Sequence, residues 1–375
     1  MKLIHTSDLH IGISLFGEDL LPYQEEIGRK ISACAKKHNA DCIIISGDVF
    51  DSAVVSAEAV KCWDRLCTGL FSGESRIPVI VISGNHDSAP RLSVCSELLE
   101  GAGLYIRGSF RDYLRPVKVC DSEIYCIPYF SLSEVKAVFP DNEINTVTDA
   151  FAVLTENIRA AWDPGKKHII AAHCFAAGAS LSESERASKG AVISAGGAQM
   201  VSADVFAGFE YAALGHLHRP QTVKCPADTG CTVRYSGTPL PYSFSEAEHE
   251  KSISVFDTDT GELCLEPFES TLSLVNVKGT FEEIMSRENV PENAFVRVEI
   301  TDRASAAGIY NTVKEKYPRA LRIECSHAPV YTASPTSPSE VEELSPEELA
   351  ERYIREKFGR EMTDEMRQWL AKADR

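Results

Sequence analysis

Four residues, Cys42, Ile43, Ile44 and Ile45, run without interruption into Ser46-Gly47 and then into two carboxylates, Asp48 and Asp51. So short an apolar run, closed by small residues, reads as a strand buried on both faces. The pattern recurs. SDLH at 7–10, GNHD at 84–87, AAHCF at 171–175 and GHLH at 215–218 each follow a short apolar run and each carries metal-ligand side-chain types. Ligands of open α/β sheets sit beyond the carboxyl ends of the strands, where loops vary without disturbing the core. Five such clusters therefore demand an α/β fold that delivers them to one edge, with Asp48 in the middle.

The intervening segments fit. Pro22 opens a helix with Ile27, Ile31 and Ala35 on one face, which Asn39 ends. A second helix starts at Ser56 and carries Val60, Trp63, Cys67 and Leu70 as an apolar stripe. A third carries Leu92, Cys95, Leu99 and Ala102, and both stripes read as core. From residue 116 short strands dominate, with one helix over 147–162. An α/β first half that feeds a strand-rich second half predicts two packed β-sheets flanked by helices.

The chain has three further parts. From 268 to 330 a strand–helix–strand–helix–strand order, free of ligand-type clusters, predicts a small α+β domain after a first domain of residues 1–267. Residues 331–343 are Pro, Ser, Thr and acids, a linker by composition. Residues 344–375 hold a capping box at Ser345–Glu348 and two amphipathic helices, suited to docking on a partner or on the chain's own body.

Charge limits the partners. The formal net charge of the 375 residues is −17, which argues against a broad basic face for nucleic acid. A phosphate substrate must then be drawn by a local site, a bound metal or another subunit. The twelve cysteines lie scattered with no CxxC, as reduced core residues of a cytoplasmic protein do. No signal-like N-terminal segment and no apolar run near membrane-spanning length is present.

Asp8, His10, Asp48, Asn85, His173, His216 and His218 mix carboxylate, amide and imidazole, a set suited to Mn²⁺ or Fe²⁺ rather than to Ca²⁺ or a thiolate zinc site. Asp8/His10 and His216/His218, as alternate residues at strand ends, are expected to project the same way. If two metals bind about 3.5–4 Å apart, one carboxylate must bridge them, and Asp48 is the natural one. Two divalent ions bring four positive charges, of which Asp8 and Asp48 cancel two. The pocket would stay cationic, as a phosphate ester requires. Asp51 and Asp87 read equally as partners of ligands or as turn residues. Arg107, Lys166, Lys167, Lys189 and Arg219 offer themselves as DNA contacts or as solvated surface, and read rather as the latter.

The order DLH, GDVFD, GNHD, H, GHLH resembles the calcineurin-like metallophosphoesterases over residues 1 to about 256. More narrowly, Ser184-Glu185-Arg186, YAALGHLHRPQ, YSGTPLPYSFSE, Lys251 and IPYF at 127–130 resemble the SbcD nuclease subunits of bacterial double-strand-break processing complexes. The resemblance implies a metallophosphoesterase fold with a small capping domain and a helical tail. It implies two divalent ions, Mn²⁺, one on Asp8, His10, Asp48 and His218, the other on Asp48, Asn85, His173 and His216. It casts His86 as the catalytic group that meets the scissile phosphate and leaving oxygen.

The activity implied is 3′–5′ exonuclease cleavage of double-stranded DNA ends and endonuclease cleavage of hairpins and single strands. The implied setting is DNA repair and recombination beside an SbcC-type ATPase held by the C-terminal helices, with a homodimer inside a heterotetramer. Helices 56–70 and 89–102 are the implied homodimer contact. Two other readings stand beside this one: a small-molecule phosphatase or cyclic-nucleotide phosphodiesterase on the same scaffold, and a non-cleaving adaptor that recruits an ATPase through its tail. The seven ligand-type residues handle phosphate and not what is attached to it, so they leave the first open.

Overall fold

In the computed structural model, which describes residues 1–71, 77–180, 200–225, 230–303, 308–326, 351, 362, 363, 366 and 367, the strand Cys42–Ser46 is buried along its whole length. It lies between Lys2–Thr6 and Val79–Ile82, parallel to both. The complete sheet runs Leu263–Pro267, Ser252–Asp257, Lys2–Thr6, Cys42–Ser46, Val79–Ile82, Leu104–Arg107. Only the first two strands in that order add antiparallel pairings. A second sheet runs Gln221–Val223, Thr232–Tyr235, Tyr211–Gly215, Lys167–His173, Ser122–Ile127, Val117–Val119. Its four inner strands are parallel and its two edges antiparallel.

The sheets pack face to face, as the sequence predicts. Leu3, Ile44 and Ile80 of the first meet Ile124, Ile169 and Ala213 of the second in one buried cluster. The other face of the second sheet is covered by helix Val147–Ala161 through Phe151, Leu154 and Ile158. That helix starts at a capping box of Thr146 and Asp149, two reciprocal bonds that satisfy its first free N–H groups. Helix Ile27–His38 buries Ile27, Ile31 and Ala35 and ends at Asn39 in a left-handed conformation, φ 52°.

Three helical expectations fail. Pro22 opens a separate short helix, Leu21–Gln24, rather than Ile27–His38. Helix Ala57–Phe71 buries Ala59, Cys62, Leu66 and Leu70, not the stripe of Val60, Trp63 and Cys67. Helix Ile27–His38 comes so close that a Cβ on Gly28 would lie 2.9 Å from Leu66 Cγ. Such an approach admits only small or slender side chains, so Ala59 and Cys62 face inward and the bulkier stripe turns out, with Val60 49% exposed. The stretch 89–102 is not one helix. Ala89–Leu92 and Ser96–Glu100 are separated at Cys95, whose φ of 58° breaks the helical path. Of the expected stripe only Leu92 is buried, and Leu98 is 80% exposed.

The chain divides into two compact units: Met1–Asn276 with Val290–Val296, and a second that comprises Val277–Asn289 and described residues from Arg297 onward. A three-stranded sheet orders Leu274–Gly279, Phe295–Ile300, Ala320–Cys325, with helices Phe281–Ser286 and Tyr310–Lys316 between them in sequence. The linker 331–343, nearly all of the tail 344–375, the segment 184–186 and Lys189 lie outside the described residues. Among the described residues no helix is long and apolar enough to cross a membrane. All twelve cysteines are free thiols, but not all are core: Cys95, Cys120 and Cys264 are exposed.

Candidate metal centre

Asp8, Asp48 and Asn85 follow the parallel strands that end at Thr6, Ser46 and Ile82, while His173 and His216 stand at the ends of the second sheet's inner strands. The two sheets touch at that edge: Ser46 Oγ donates to the Ala213 carbonyl at 2.9 Å. A Cβ on Gly215 would lie 1.8 Å from the Ser46 carbonyl oxygen, so that contact requires glycine.

The expectation that strand alternation aims Asp8/His10 and His216/His218 is not met. The strands stop at Thr6 and Gly215, and Asp8, His10, Asp48 and His216 all have positive φ, at 53°, 43°, 47° and 109°. Left-handed backbone costs a non-glycine residue about 1–2 kcal/mol, so these turns persist because their surroundings hold them. Asp8 N–H donates to the Gly47 carbonyl at 2.9 Å and His10 N–H to the Asp48 carbonyl at 3.0 Å, which ties the first loop to the second. Gly47, at φ 92°, leaves room for His173, whose Nδ1 would be 2.3 Å from any Cβ there.

All seven expected ligands and His86 converge. The ligand atoms of Asp8, His10 and His218 lie within 4.8 Å of one another, as do those of Asp48, His173 and His216, and those of His10, Asp48 and His86. One oxygen joins the two sides: Asp48 Oδ2 is 3.8 Å from His10 Nε2 and 3.4 Å from His173 Nε2. Asn85 Oδ1 lies 3.1 Å from His173 Nε2 and 2.8 Å from His216 Nδ1. The His216 backbone N–H points at the Asp8 carboxylate, 3.0 and 3.1 Å from its oxygens.

Hydrogen bonding fixes several tautomers. His173 Nδ1 faces the Ser46 carbonyl at 2.9 Å and must donate to it, which leaves Nε2 of the neutral ring as a lone pair aimed at two oxygens. A lone pair facing oxygens is repulsive unless a proton or a cation lies between them. Both ring nitrogens of His10 are buried and make no hydrogen bond. His218 Nδ1 is 3.0 Å from Glu246 Oε1, which turns its Nε2 toward the centre. These acceptors suit a borderline divalent cation. Burial would raise Asp48, but the charge and hydrogen bond of His173 and the charge on His10 outweigh it and hold Asp48 well below the usual range. For His173, burial opposes charge, yet Asp48 and Asp8 lift it to about 9. Asp8 is raised, chiefly by burial.

His86 is exposed at the rim. Its N–H donates to Asp48 Oδ1 at 2.9 Å, and its Nδ1 donates to the Asp51 carbonyl at 2.7 Å, so Nε2 is left to face solvent or substrate. Asp87 clasps two loops together, its carboxylate accepting from the N–H groups of Val49 and Phe50 after Asp48 at 3.1 and 2.9 Å and, within its own turn, from Gly84 at 2.9 Å. Asp51 faces the centre, with Oδ1 3.4 Å from His10 Nδ1. Arg107 is not solvated surface: it is buried and bonded to Glu100 at 2.6 Å.

Two residue roles escaped the sequence reading. Buried Gln24 donates to the carbonyls of Leu9 and His10 at 3.1 and 2.8 Å and accepts from Gly12 at 2.9 Å, which pins the first loop. Glu246 holds His218 and accepts from Lys251 Nζ at 2.7 Å, and those partners keep its carboxyl ionised against burial. Glu246 closes the YSGTPLPYSFSE stretch and Gln24 lies in no quoted motif, but neither stands beside a ligand cluster, so only the folded chain reveals what each holds.

The calcineurin-like phosphoesterase profile matches residues 1–220, and the SbcD C-terminal profile, described as the type 5 capsule protein repressor C-terminal domain, matches residues 271–358. A Staphylococcus epidermidis protein, the SbcD subunit of the nuclease SbcCD, is 30% identical over 329 residues, 86% of this chain and 85% of its own. Among solved structures, TT1561 of Thermus thermophilus is 12% identical with a TM-score of 0.41, over 72% of this chain and 99% of that one. A dimetal phosphatase from Danio rerio, also 12% identical at a TM-score of 0.41, covers 68% of this chain and 91% of its own. With its five motifs gathered at one sheet edge, the chain belongs to the calcineurin-like phosphoesterases and, within them, to the SbcD nuclease subunits.

Proposed function

We propose that this chain is a two-metal DNA nuclease subunit that cuts double-stranded ends and hairpins beside an SbcC-type ATPase in the cytoplasm. The observation that carries the reading is Asp48 Oδ2, which stands 3.8 Å from the imidazole of one triad and 3.4 Å from that of the other. In this assignment one ion is held by Asp8, His10, Asp48 and His218, and its neighbour by Asp48, Asn85, His173 and His216. Mn²⁺ is the proposed metal, and such a pair supplies charge for the phosphate and an activated water for the displacement.

The chain's own groups do the rest. His86, positioned through its N–H on Asp48 and its Nδ1 on Asp51, offers Nε2 to the leaving oxygen. Glu246 and the Ser46 carbonyl orient the imidazoles of His218 and His173. Residues 1–267 form the proposed nuclease domain and 268–330 the capping domain, and beyond the linker 331–343 the tail 344–375 takes the ATPase.

The proposed homodimer uses the outward apolar stripe. Val60, Trp63 and Cys67 line, with Leu92, Val94 and Leu99, an open cavity of about 720 Å³. An apolar hollow of that size on a surface helix pair suits a second copy of the same face.

The test pairs metal analysis with degradation of a labelled blunt duplex. Wild-type protein should carry two Mn²⁺ and cleave, and Asp48→Ala should keep its fold, lose metal and lose at least a thousandfold in rate. Metal-free protein that cleaves as fast as loaded protein would end this reading. Hydrolysis of a nucleotide monoester in place of the duplex would shift it to a small-molecule phosphatase.

A further inference from the structure

We propose that the exposed ring of Tyr129 is the contact for the nucleoside that keeps the scissile phosphate, an assignment that rests on the nuclease reading above. Residues 122–130 are buried with one exception, Tyr129, which is 45% exposed. Its ring meets the edge of the metal centre, with its centroid 6.4 Å from that of His173 at an interplanar angle of 83°. It therefore stands on the His173–Asn85 side of Asp48, whereas His86 packs edge-on against His10 on the other, their centroids 4.9 Å apart.

The backbone that carries this ring is held firmly. Tyr129 N–H donates to the Ser83 carbonyl at 3.0 Å, two residues before Asn85, so the ring moves with the loop that bears a proposed ligand. Pro128 before it is buried and fixes φ. Phe130 after it is anchored in the core, its ring 5.6 Å from Phe110 and 5.3 Å from Phe151. A large aromatic that could gain from burial is instead presented to solvent on a rigid mount at the centre's rim. What such a rim-mounted face recognises is a flat, uncharged group attached to the phosphate. A nucleobase is that group, and aromatic stacking is how single strands are held without sequence preference. Tyr129 also supplies local affinity that depends on no basic residue, which matters in a chain of net charge −17.

Two chromogenic diesters isolate the contact. Thymidine 5′-(p-nitrophenyl phosphate) and methyl p-nitrophenyl phosphate share a leaving group and differ by the nucleoside. With Mn²⁺-loaded full-length protein, Tyr129→Ala should lower kcat/KM on the thymidine ester roughly 10-fold, about 1.4 kcal/mol. On the methyl ester it should change nothing, and its Mn²⁺ content should equal wild type. Tyr129→Phe, which keeps the ring and drops the hydroxyl, should stay within about twofold of wild type on both. Equal losses on the two esters would show that Tyr129 acts through His173, and no loss on either would show no contact, so both results overturn the proposal. Wild-type cleavage of blunt duplex is followed in parallel. Its absence overturns the nuclease reading and this one with it, whereas intact duplex cleavage beside equal ester losses overturns the Tyr129 contact alone.

Discussion

Glu246 does two jobs at once, and substitution can separate them. Its carboxylate neutralises buried Lys251 and orients His218. Glu246→Gln leaves the ammonium buried with no opposite charge, which should cost about 3–5 kcal/mol in denaturant unfolding. Glu246→Gln with Lys251→Met should recover most of that stability, since an apolar replacement of a buried pair is often neutral. Metal affinity should stay about 10–100-fold down in the double variant, because a neutral amide oxygen supports the His218 imidazole less than a carboxylate does. Recovery of both by the double variant would refute the division. His173 carries the second prediction. Its pKa is raised to about 9, so in metal-free protein its contribution to stability is complete below about pH 6.5 and is lost as pH rises through 9. Tm in EDTA should therefore fall over that window, a fall His173→Gln should remove, while metal affinity should rise over the same window as the competing proton leaves. Legibility divides the same way at this scale. Asp48 could be read from the chain because it ends an apolar run. The roles of Glu246 and Gln24 could not, even though Glu246 closes a motif that carries the resemblance, because a residue that acts on a neighbour's orientation leaves no pattern of its own.

Helix Ala57–Phe71 shows where periodicity stops being informative. Its sequence holds two apolar stripes, Val60-Trp63-Cys67 and Ala59-Cys62-Leu66, that both lead to Leu70. Size favours the first as core, and the structure takes the second because Gly28 lets the neighbouring helix close onto it. Which stripe is buried depends on a partner more than thirty residues away, and that lies beyond any local window. Helix Val147–Ala161, with a single stripe and a capping box, was readable for the opposite reason. The loops fall between these cases: their residues were legible, but the left-handed turns that aim them were not, since only Gly47 signals one. The inverted stripe makes a sharp pair of expectations. Leu66→Ala should cost about 2–5 kcal/mol through the cavity it leaves, whereas Val60→Ala should stay within about 0.5 kcal/mol. Trp63→Asp should leave Tm nearly unchanged yet halve the mass seen by light scattering. A variant that unfolds instead would return Trp63 to the core, and an unaltered dimer would move the contact elsewhere.

A chain of net charge −17 that cleaves a polyanion has to gather its positive charge where the chemistry happens. Among the described basic groups several are already committed: Arg107 to Glu100, Lys167 to Asp121 and Asp259, Lys251 to Glu246. The proposed centre would concentrate positive charge locally, its four ligand imidazoles and buried carboxylates holding divalent cations. That arrangement predicts an unusual salt response. A protein that grips duplex through 6–10 phosphate contacts loses about 10³–10⁵ in affinity between 50 and 200 mM salt. If this chain engages only the two or three phosphates at the centre, the same rise should cost roughly 10- to 40-fold, at about 0.9 in slope per contact. Binding of a blunt duplex whose ends carry cleavage-resistant phosphorothioates, followed by fluorescence anisotropy, measures this directly. Affinity should be nearly absent in EDTA, appear with Mn²⁺, and weaken along that shallow slope. A steep slope that persists in EDTA would mean that lysines and arginines, rather than bound cations, do the gripping, and it would place the DNA contact away from Asp48.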